Sequence, residues 1–386
     1  MAVTADFISG SFSGRAIYDT GIFPAVAEDV SDLISMISPY ETPLLALLGD
    51  SQYPAANVYH EWLEDELGPN TLVTSTNIAS TAADTSFGIA AGLAQFLQLG
   101  MILKGPTASD DEYMQITAIA GNTITVSRGF ASTSANSVAA GQSISIISDA
   151  AIDGADVMGD ISRPRTRKGN YTQIFKKDVI ISGTTEAVTH LGGISSEWDY
   201  QKQLRLRENL RDLEKAVILG RLSGNTIGSA SARRTFSGLL EQITTNVDSW
   251  GTLSDSALTS SFRKAWDAGD SPDVIVAGDS IKRTIDQFNN VRTQTVQGTG
   301  AEGVFRNLVS VFECTYGSAP VMLNRWMPTN KYMLISSSRI KICPLQGRSF
   351  TFQDVARTGD SMKGMILGEY TLEVRNENGM VRGTVG

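Results

Sequence analysis

The chain has 386 residues, 41% of them hydrophobic and 19% charged, with 32 Lys and Arg against 41 Asp and Glu for a formal net charge of −9. That length and apolar content suffice to bury sizeable cores and exclude a disordered chain. The acid excess has the wrong sign for a sequence-specific nucleic-acid binder, though it leaves room for a local basic patch.

The opening MAVTADFISG has neither the basic nor the apolar region of a signal peptide, and no apolar run reaches the ~18 residues of a membrane span. Residues 1–27, rich in Gly, Ser and Thr, predict an extended arm. Val30, Leu33, Ile34 and Ile37 share a helical face that Pro39 ends. Thr42-Pro43 then opens a second short helix carrying Leu44, Leu45, Leu47 and Leu48. Residues 56–67 read as extended and end in the acidic cluster Glu61, Glu64, Asp65 and Glu66.

Between 88 and 150 the pattern changes. Met114, Ile116 and Ala118 alternate with polar residues, Gly121-Asn122 signals a hairpin, and Ile124 and Val126 continue the alternation. A strand over 143–148 completes a small β module. Residues 163–188 then hold the strongest basic run: Arg163, Arg165, Arg167, Lys168, Lys176 and Lys177. The most distinctive segment follows at 196–221, SEWDYQKQLRLRENLRDLEKAVILGR. Ser195 or Ser196 can cap it, Glu197 and Asp199 suit its first turn, and Ile194 can staple Trp198. Leu206, Leu210, Leu213 and Val217 form one stripe, so a single long helix is expected.

Downstream, Leu258, Phe262 and Trp266 mark a helical face, and Ile281, Ile285 and Phe288 mark another. Strands are expected at 273–277, 320–323, 331–336, 339–343 and, as the last one, 365–376. The class is α+β.

Catalytic motifs are sparse. Gly298–Gly303 matches G-x-G-x-x-G, but a polar TQTVQ precedes it, so a flexible loop is the better reading than a dinucleotide site. Ser261-x-x-Lys264 and Ser338-x-x-Lys341 lack the companion motifs of penicillin-recognising enzymes. His60 and His190 are the two histidines, and neither has local zinc-ligand spacing or a neighbouring cysteine. Cys314 and Cys343 form no Cys-x-x-Cys pair and read as free thiols of a reducing compartment. The clusters Glu61–Glu66 and Asp110-Asp111-Glu112 could bind a divalent cation but read better as solvated acidic faces or faces paired with another subunit, and Asn170-Tyr-Thr172 is a sequon of consequence only in a secreted protein. No catalytic residue, metal ligand or cofactor is expected. The favoured reading of Arg163–Lys177 is pairing with acidic segments of a neighbouring copy, which sets register more than affinity. Candidate inter-subunit residues are Glu61, Glu64, Glu66, Arg163, Arg165, Arg167, Lys168, Lys176 and Lys177.

Four stretches in this order and spacing, 29–50 (DVSDLISMISPYETPLLALLGD), 60–67 (HEWLEDEL), 166–188 (TRKGNYTQIFKKDVIISGTTEAV) with the helix behind it, and 358–379 (TGDSMKGMILGEYTLEVRNENG), resemble the major capsid proteins of tailed bacteriophages. The resemblance implies the Hong Kong 97-type α+β fold. Residues 1–50 would then form the N-terminal arm and entry helices, and 51–87 with 151–185 the extended E-loop. Residues 88–150 would be an inserted β module, 186–224 a peripheral domain with its spine helix, 225–345 the axial domain, and 346–386 a return to the peripheral domain. It implies hexamers and pentamers of the chain closing a virion head around double-stranded DNA without sequence specificity. A separate scaffolding protein, a portal and a decoration protein would be partners, no membrane is involved, and assembly would take place in the bacterial cytoplasm. A cellular nanocompartment of the same fold is the alternative, with a cytoplasmic α/β nucleotide-binding enzyme behind it.

Overall fold

The computed structural model describes residues 39–106, 112–154, 156, 161–162, 164–188, 196–223, 228–229, 231–288, 311–357 and 359–386. The expected arm, the helical face at 30–37, Asp110-Asp111, Arg163, His190, Ile194, Ser195 and Gly298–Gly303 lie outside them. The chain forms two units, one of residues 62–168 and one of the segments on either side. No helix among the described residues is long and apolar enough to cross a membrane.

Helix α1 (Pro43–Leu48) starts with proline, whose missing N–H costs nothing in a first turn. Leu44 is fully buried, whereas Leu47 on the expected face is exposed. Strand β1 (Tyr59–Glu64) then leads out of the first unit.

The 62–168 unit is a six-stranded sheet. Its strands are β2 (Thr71–Val73), β3 (Ser86–Gly88), β4 (Ile102–Lys104), β5 (Tyr113–Ala120), β6 (Thr123–Ser127) and β7 (Ser143–Ser148), in the order β2-β7-β4-β5-β6-β3. Gly121 turns the β5–β6 hairpin at φ +60°, where glycine carries no Cβ penalty. The register slips between Ile116 and Ala118, so Ala118 leaves the buried face that Met114 and Ile116 occupy. The unit is wider than the 88–150 module expected from sequence. Leu72 and Phe87 join its core, drawing 71–73 and 86–88 into the sheet. Glu112 is not part of a solvated acidic face. Arg128 donates to it from Nε at 2.5 Å and Nη2 at 2.7 Å, and both side chains are buried.

Strand β8 (Thr166–Tyr171) returns and pairs with β1, and the boundary between the units falls inside both strands. Strand β9 (Gln173–Ser182) and the short helix α2 (Gly183–Ala187) precede helix α3 (Glu197–Leu219). Ser196 caps α3 by accepting the Asp199 N–H, and Gly220 ends it. The stripe expected along α3 is buried only from Leu213 onward, while Leu206 is exposed. The helix instead meets the body at two places. Trp198 packs edge-on against Phe352 near Val179 and Ile181 at one end, and Leu213, Val217 and Ile218 enter the main core at the other. Between them, Lys177 reaches Asp212 at 2.8 Å.

The remainder holds α4 (Leu239–Gln242), β10 (Val247–Trp250), α5 (Asp255–Asp267), β11 (Val274–Ala277) and α6 (Asp279–Phe288). Then come β12 (Val311–Cys314), β13 (Gly317–Leu323), β14 (Lys331–Ile335), β15 (Ile340–Pro344), β16 (Thr351–Val355), β17 (Ser361–Val374) and β18 (Val381–Val385). A six-stranded sheet runs β10-β18-β14-β11-β13-β12. Its centre is buried on both faces. Val274, Val276, Met333 and Ile335 line one core, and Ile275, Ala277, Tyr332 and Leu334 line the other, which explains the unbroken apolar run VIVA. Two expectations change here. The last strand is β18, not 365–376, because Val381 completes the second core. Trp266 is 58% exposed beside Tyr316, while Ala265 faces inward in its place. A second sheet places β17 between β15 and β16, with β9 also paired to β17 over ten residues from Ser182 to Gln173.

Candidate assembly interface

Strand alternation divides the β15–β17 pair into two faces. Ile340, Ile342, Leu372 and Val374 point into the main core. Cys343, Thr371 and Glu373 alternate with them and point the other way, with Glu369 two residues further along β17. That second face is polar, yet Glu369, Thr371 and Glu373 are buried. The base of the β1/β8 ribbon covers it.

The covering is a network of hydrogen bonds. Asn170 donates its amide protons to the carbonyls of Ser237 at 2.9 Å and Leu372 at 2.8 Å, and accepts the Ser237 N–H. Thr172 donates to Glu369 at 2.6 Å, and Thr371 donates to the Tyr171 carbonyl. Glu369 also takes Arg234 at 2.6 Å and Arg348 at 2.9 Å. The Glu369 carboxylate and the carbonyls of Ser237, Leu372 and Tyr171 are thus each matched by a donor, the condition for burying polar groups. The sequon reading of Asn170 fails for this reason: the side chain is buried and its amide is committed.

His60 descends from β1 onto the same face. Its Nε2 lies 2.8 Å from Glu373 Oε2, the Cys343 thiol donates to that oxygen at 3.9 Å, and Arg375 holds the other carboxylate oxygen. Hydrogen bonds to Cys343 and Glu373 raise His60 to about 9. Burial pushes Glu373 up, but His60 and Arg375 outweigh it and hold the carboxyl below its ordinary value. Distant strands therefore give His60 the cysteine neighbour that local spacing does not.

The expected interface residues divide into two groups. Glu61, Glu66, Arg165, Arg167, Lys168 and Lys176 are exposed. Glu64 instead accepts the Trp62 indole N–H at 2.9 Å. Within the chain, Arg165 approaches Asp65 at 3.6 Å and Lys176 approaches Asp178 at 3.1 Å, while Lys177 is taken by Asp212. Leu63 and Leu67 stand exposed among these charges, Leu67 at 93%. Sequence reasoning missed Asn170, Thr172, Arg234, Glu369 and Glu373 as anchors. The only signal was Asn-Tyr-Thr itself, which reads as a capsid-like motif without revealing what its side chains hold.

In the first Ser-x-x-Lys stretch both side chains bind one carboxylate. Ser261 is buried and donates to Asp248 at 2.5 Å, and Lys264 binds the same carboxylate. Tyr332 lies 2.8 Å from Ser261, and burial pushes its hydroxyl up to about 12. Ser338 is exposed, and Lys341 lies over the Tyr53 ring.

No curated protein matches the chain. Among solved structures it is similar to Gordonia phage Cozz at 10% identity and a TM-score of 0.48, covering 100% of this chain and 98% of that one. It is similar to the capsid of Myoviridae phage XM1 at 11% identity and a TM-score of 0.48, covering 98% and 100%. The holo-SrpI encapsulin complex from Synechococcus elongatus matches at 10% identity and a TM-score of 0.42, covering 57% and 75%. A family model described as SU10 major capsid protein matches residues 10–385, and the chain belongs to that family: it is a major capsid protein, a structural subunit that assembles with copies of itself into the virion.

Proposed function

We propose that this capsid protein builds an icosahedral or prolate head of Hong Kong 97 type around double-stranded DNA, through non-covalent contacts and without an enzymatic activity of its own. The family match over residues 10–385 carries this reading. In it, the β1/β8 ribbon is the base of the E-loop, the 62–168 unit is an insertion in that loop, and α3 is the spine helix. Residues 225–345 form the axial domain together with strand β18, which pairs with β10 and β14 rather than returning to the peripheral domain, 346–380 return to the peripheral domain, and 1–50 form the N-terminal arm and entry helices. The exposed Glu61 and Glu66, and the basic Arg165, Arg167, Lys168 and Lys176, meet opposite charges on neighbouring copies. Glu64, Arg163 and Lys177 belong to the same contact zone. Both signs of charge on one short ribbon support such pairing. A separate scaffolding protein, a portal and a decoration protein complete the head, and assembly takes place in the host cytoplasm. The acid excess keeps the packaged DNA from adhering to the wall.

Electron microscopy of the protein coexpressed with its scaffold tests this. Uniform shells are expected from the wild type, and broken or absent shells from the folded double variant Arg165→Glu, Arg167→Glu. Normal shells from that variant reject the charge pairing. Particles from infected cells that carry protein cargo and no DNA would instead identify a nanocompartment.

A further inference from the structure

We propose that His60, Cys343 and Glu373 form a binding site for Zn2+ or a similar thiolate-binding divalent cation, which fastens the base of the β1/β8 ribbon to the β15–β17 pair. One donor atom from each residue lies within 4.8 Å of the other two. The set contains an imidazole, a thiol and a carboxylate, the three donor types that zinc accepts in tetrahedral sites. A tetrahedral zinc with bonds of about 2.0–2.3 Å needs its ligand atoms roughly 3.3–3.7 Å apart. Here the Nε2–Oε2 separation is 2.8 Å and the Sγ–Oε2 separation is 3.9 Å. Shifts of several tenths of an ångström, within reach of side-chain rotation, bring both into range. Water fills the fourth position.

An ion pair alone accounts for His60 and Glu373, but it does not call for a thiol on the neighbouring strand. Cys343 is 1% exposed and Glu373 3% exposed, so two of the three ligands are held in place by packing. Glu373 lies opposite Lys341 in the β15–β17 register, and Cys343 is two residues further along β15, so both side chains leave the same face of the sheet. Arg375 grips the carboxylate oxygen that does not face His60, as outer partners of metal ligands do. His60 comes from β1, so the ion would join the outgoing ribbon to the body. Binding releases the imidazole and thiol protons to solvent, and the thiolate and carboxylate charges balance the ion.

The test uses the full chain, stripped with a chelator and titrated with Co2+ alone, followed by competition with Zn2+. A thiolate-to-cobalt absorption band at one ion per chain is expected, together with a higher melting temperature in Zn2+. Cys343→Ser removes the band, and Cys314→Ser, at the other cysteine, keeps it. Arg375→Gln weakens Zn2+ retention about 10–100-fold. His60→Gln keeps the thiol, so it shows whether the imidazole is a ligand even if the cysteine variant unfolds, and it should weaken retention at least as much as Arg375→Gln. The proposal is overturned if the wild type retains no metal after gel filtration. It is equally overturned if the band survives Cys343→Ser, or if His60→Gln binds Co2+ as the wild type does.

Discussion

The carboxylate of Glu214, fully buried on α3, accepts the backbone N–H of Leu44 at 3.0 Å and so caps α1 from a distant helix. The Leu45 N–H adds a second bond at 2.8 Å, and the Asn324 amide a third at 2.6 Å. Thr42, at the local cap position, makes no side-chain bond to the helix, so Glu214 does the work that a Ser or Asp usually does. Burial nonetheless raises the Glu214 carboxyl, against the pull of its three donors. Three donors converge on one group, so its replacement strands several of them. Glu214→Ala is expected to lower stability by about 2–4 kcal/mol in urea unfolding of the unassembled protein. Glu214→Gln, which still offers one acceptor oxygen, should cost clearly less. A Glu214→Gln variant as stable as the wild type would show that packing, not capping, sets the cost, because glutamine keeps the volume and loses one acceptor oxygen.

Asn170 offers a second test, because its amide bridges two backbone segments, at Ser237 and at Leu372. Asn170→Ala strands buried carbonyls and an N–H, for an expected loss of about 1–3 kcal/mol. Asn170→Asp should lose more, since a carboxylate would face both carbonyls with no proton to donate. Thermal unfolding of the unassembled chain at neutral pH reads both. An aspartate variant as stable as the wild type would refute the clamp.

The 62–168 unit should be acid-sensitive through Glu112. Burial pushes this carboxyl up, but hydrogen bonds from Arg128 and the Asn136 N–H, with the Arg128 charge, outweigh burial and hold it below its ordinary value of 4.5. A carboxylate whose pKa is lower folded than unfolded adds stability above about pH 4.5, and loses it as the pH falls. Glu112→Gln leaves the buried Arg128 without its charge partner, at a cost of about 3–5 kcal/mol near neutrality. Amide hydrogen exchange of β5 and β6 in the full chain should therefore separate wild type from variant at pH 7, and the difference should shrink toward pH 3. A constant difference across that range would remove Glu112 as the source.

The elements legible in the sequence are those whose signal is local. The long α3 has its cap, its acidic first turn and its uninterrupted length written in consecutive residues. The β5–β6 hairpin is readable because a two-residue turn and period-two alternation sit side by side. Strand β11 is readable as a short apolar run, although only the sheet shows that its two faces serve two different cores. The capsid resemblance is legible because four motifs keep their order along the chain, and the family match over 10–385 agrees with it.

The sequence by itself determined the α+β class, the position of α3 and the β character of the 88–150 region, because each depends on residues a few places apart. Tertiary structure alone decided the rest. It set the extent of the 62–168 unit, since Leu72 and Phe87 are claimed by a core formed mostly of later strands. It gave Lys177 to Asp212 and Arg165 to Asp65, because charges find partners by distance in space. It brought Cys343 and Glu373 to His60, and Glu214 to Leu44, across separations that no spacing rule spans. Hydrogen bonds and ligand sets act over about 3 Å, and only the packing of strands and helices determines which distant residues come that close.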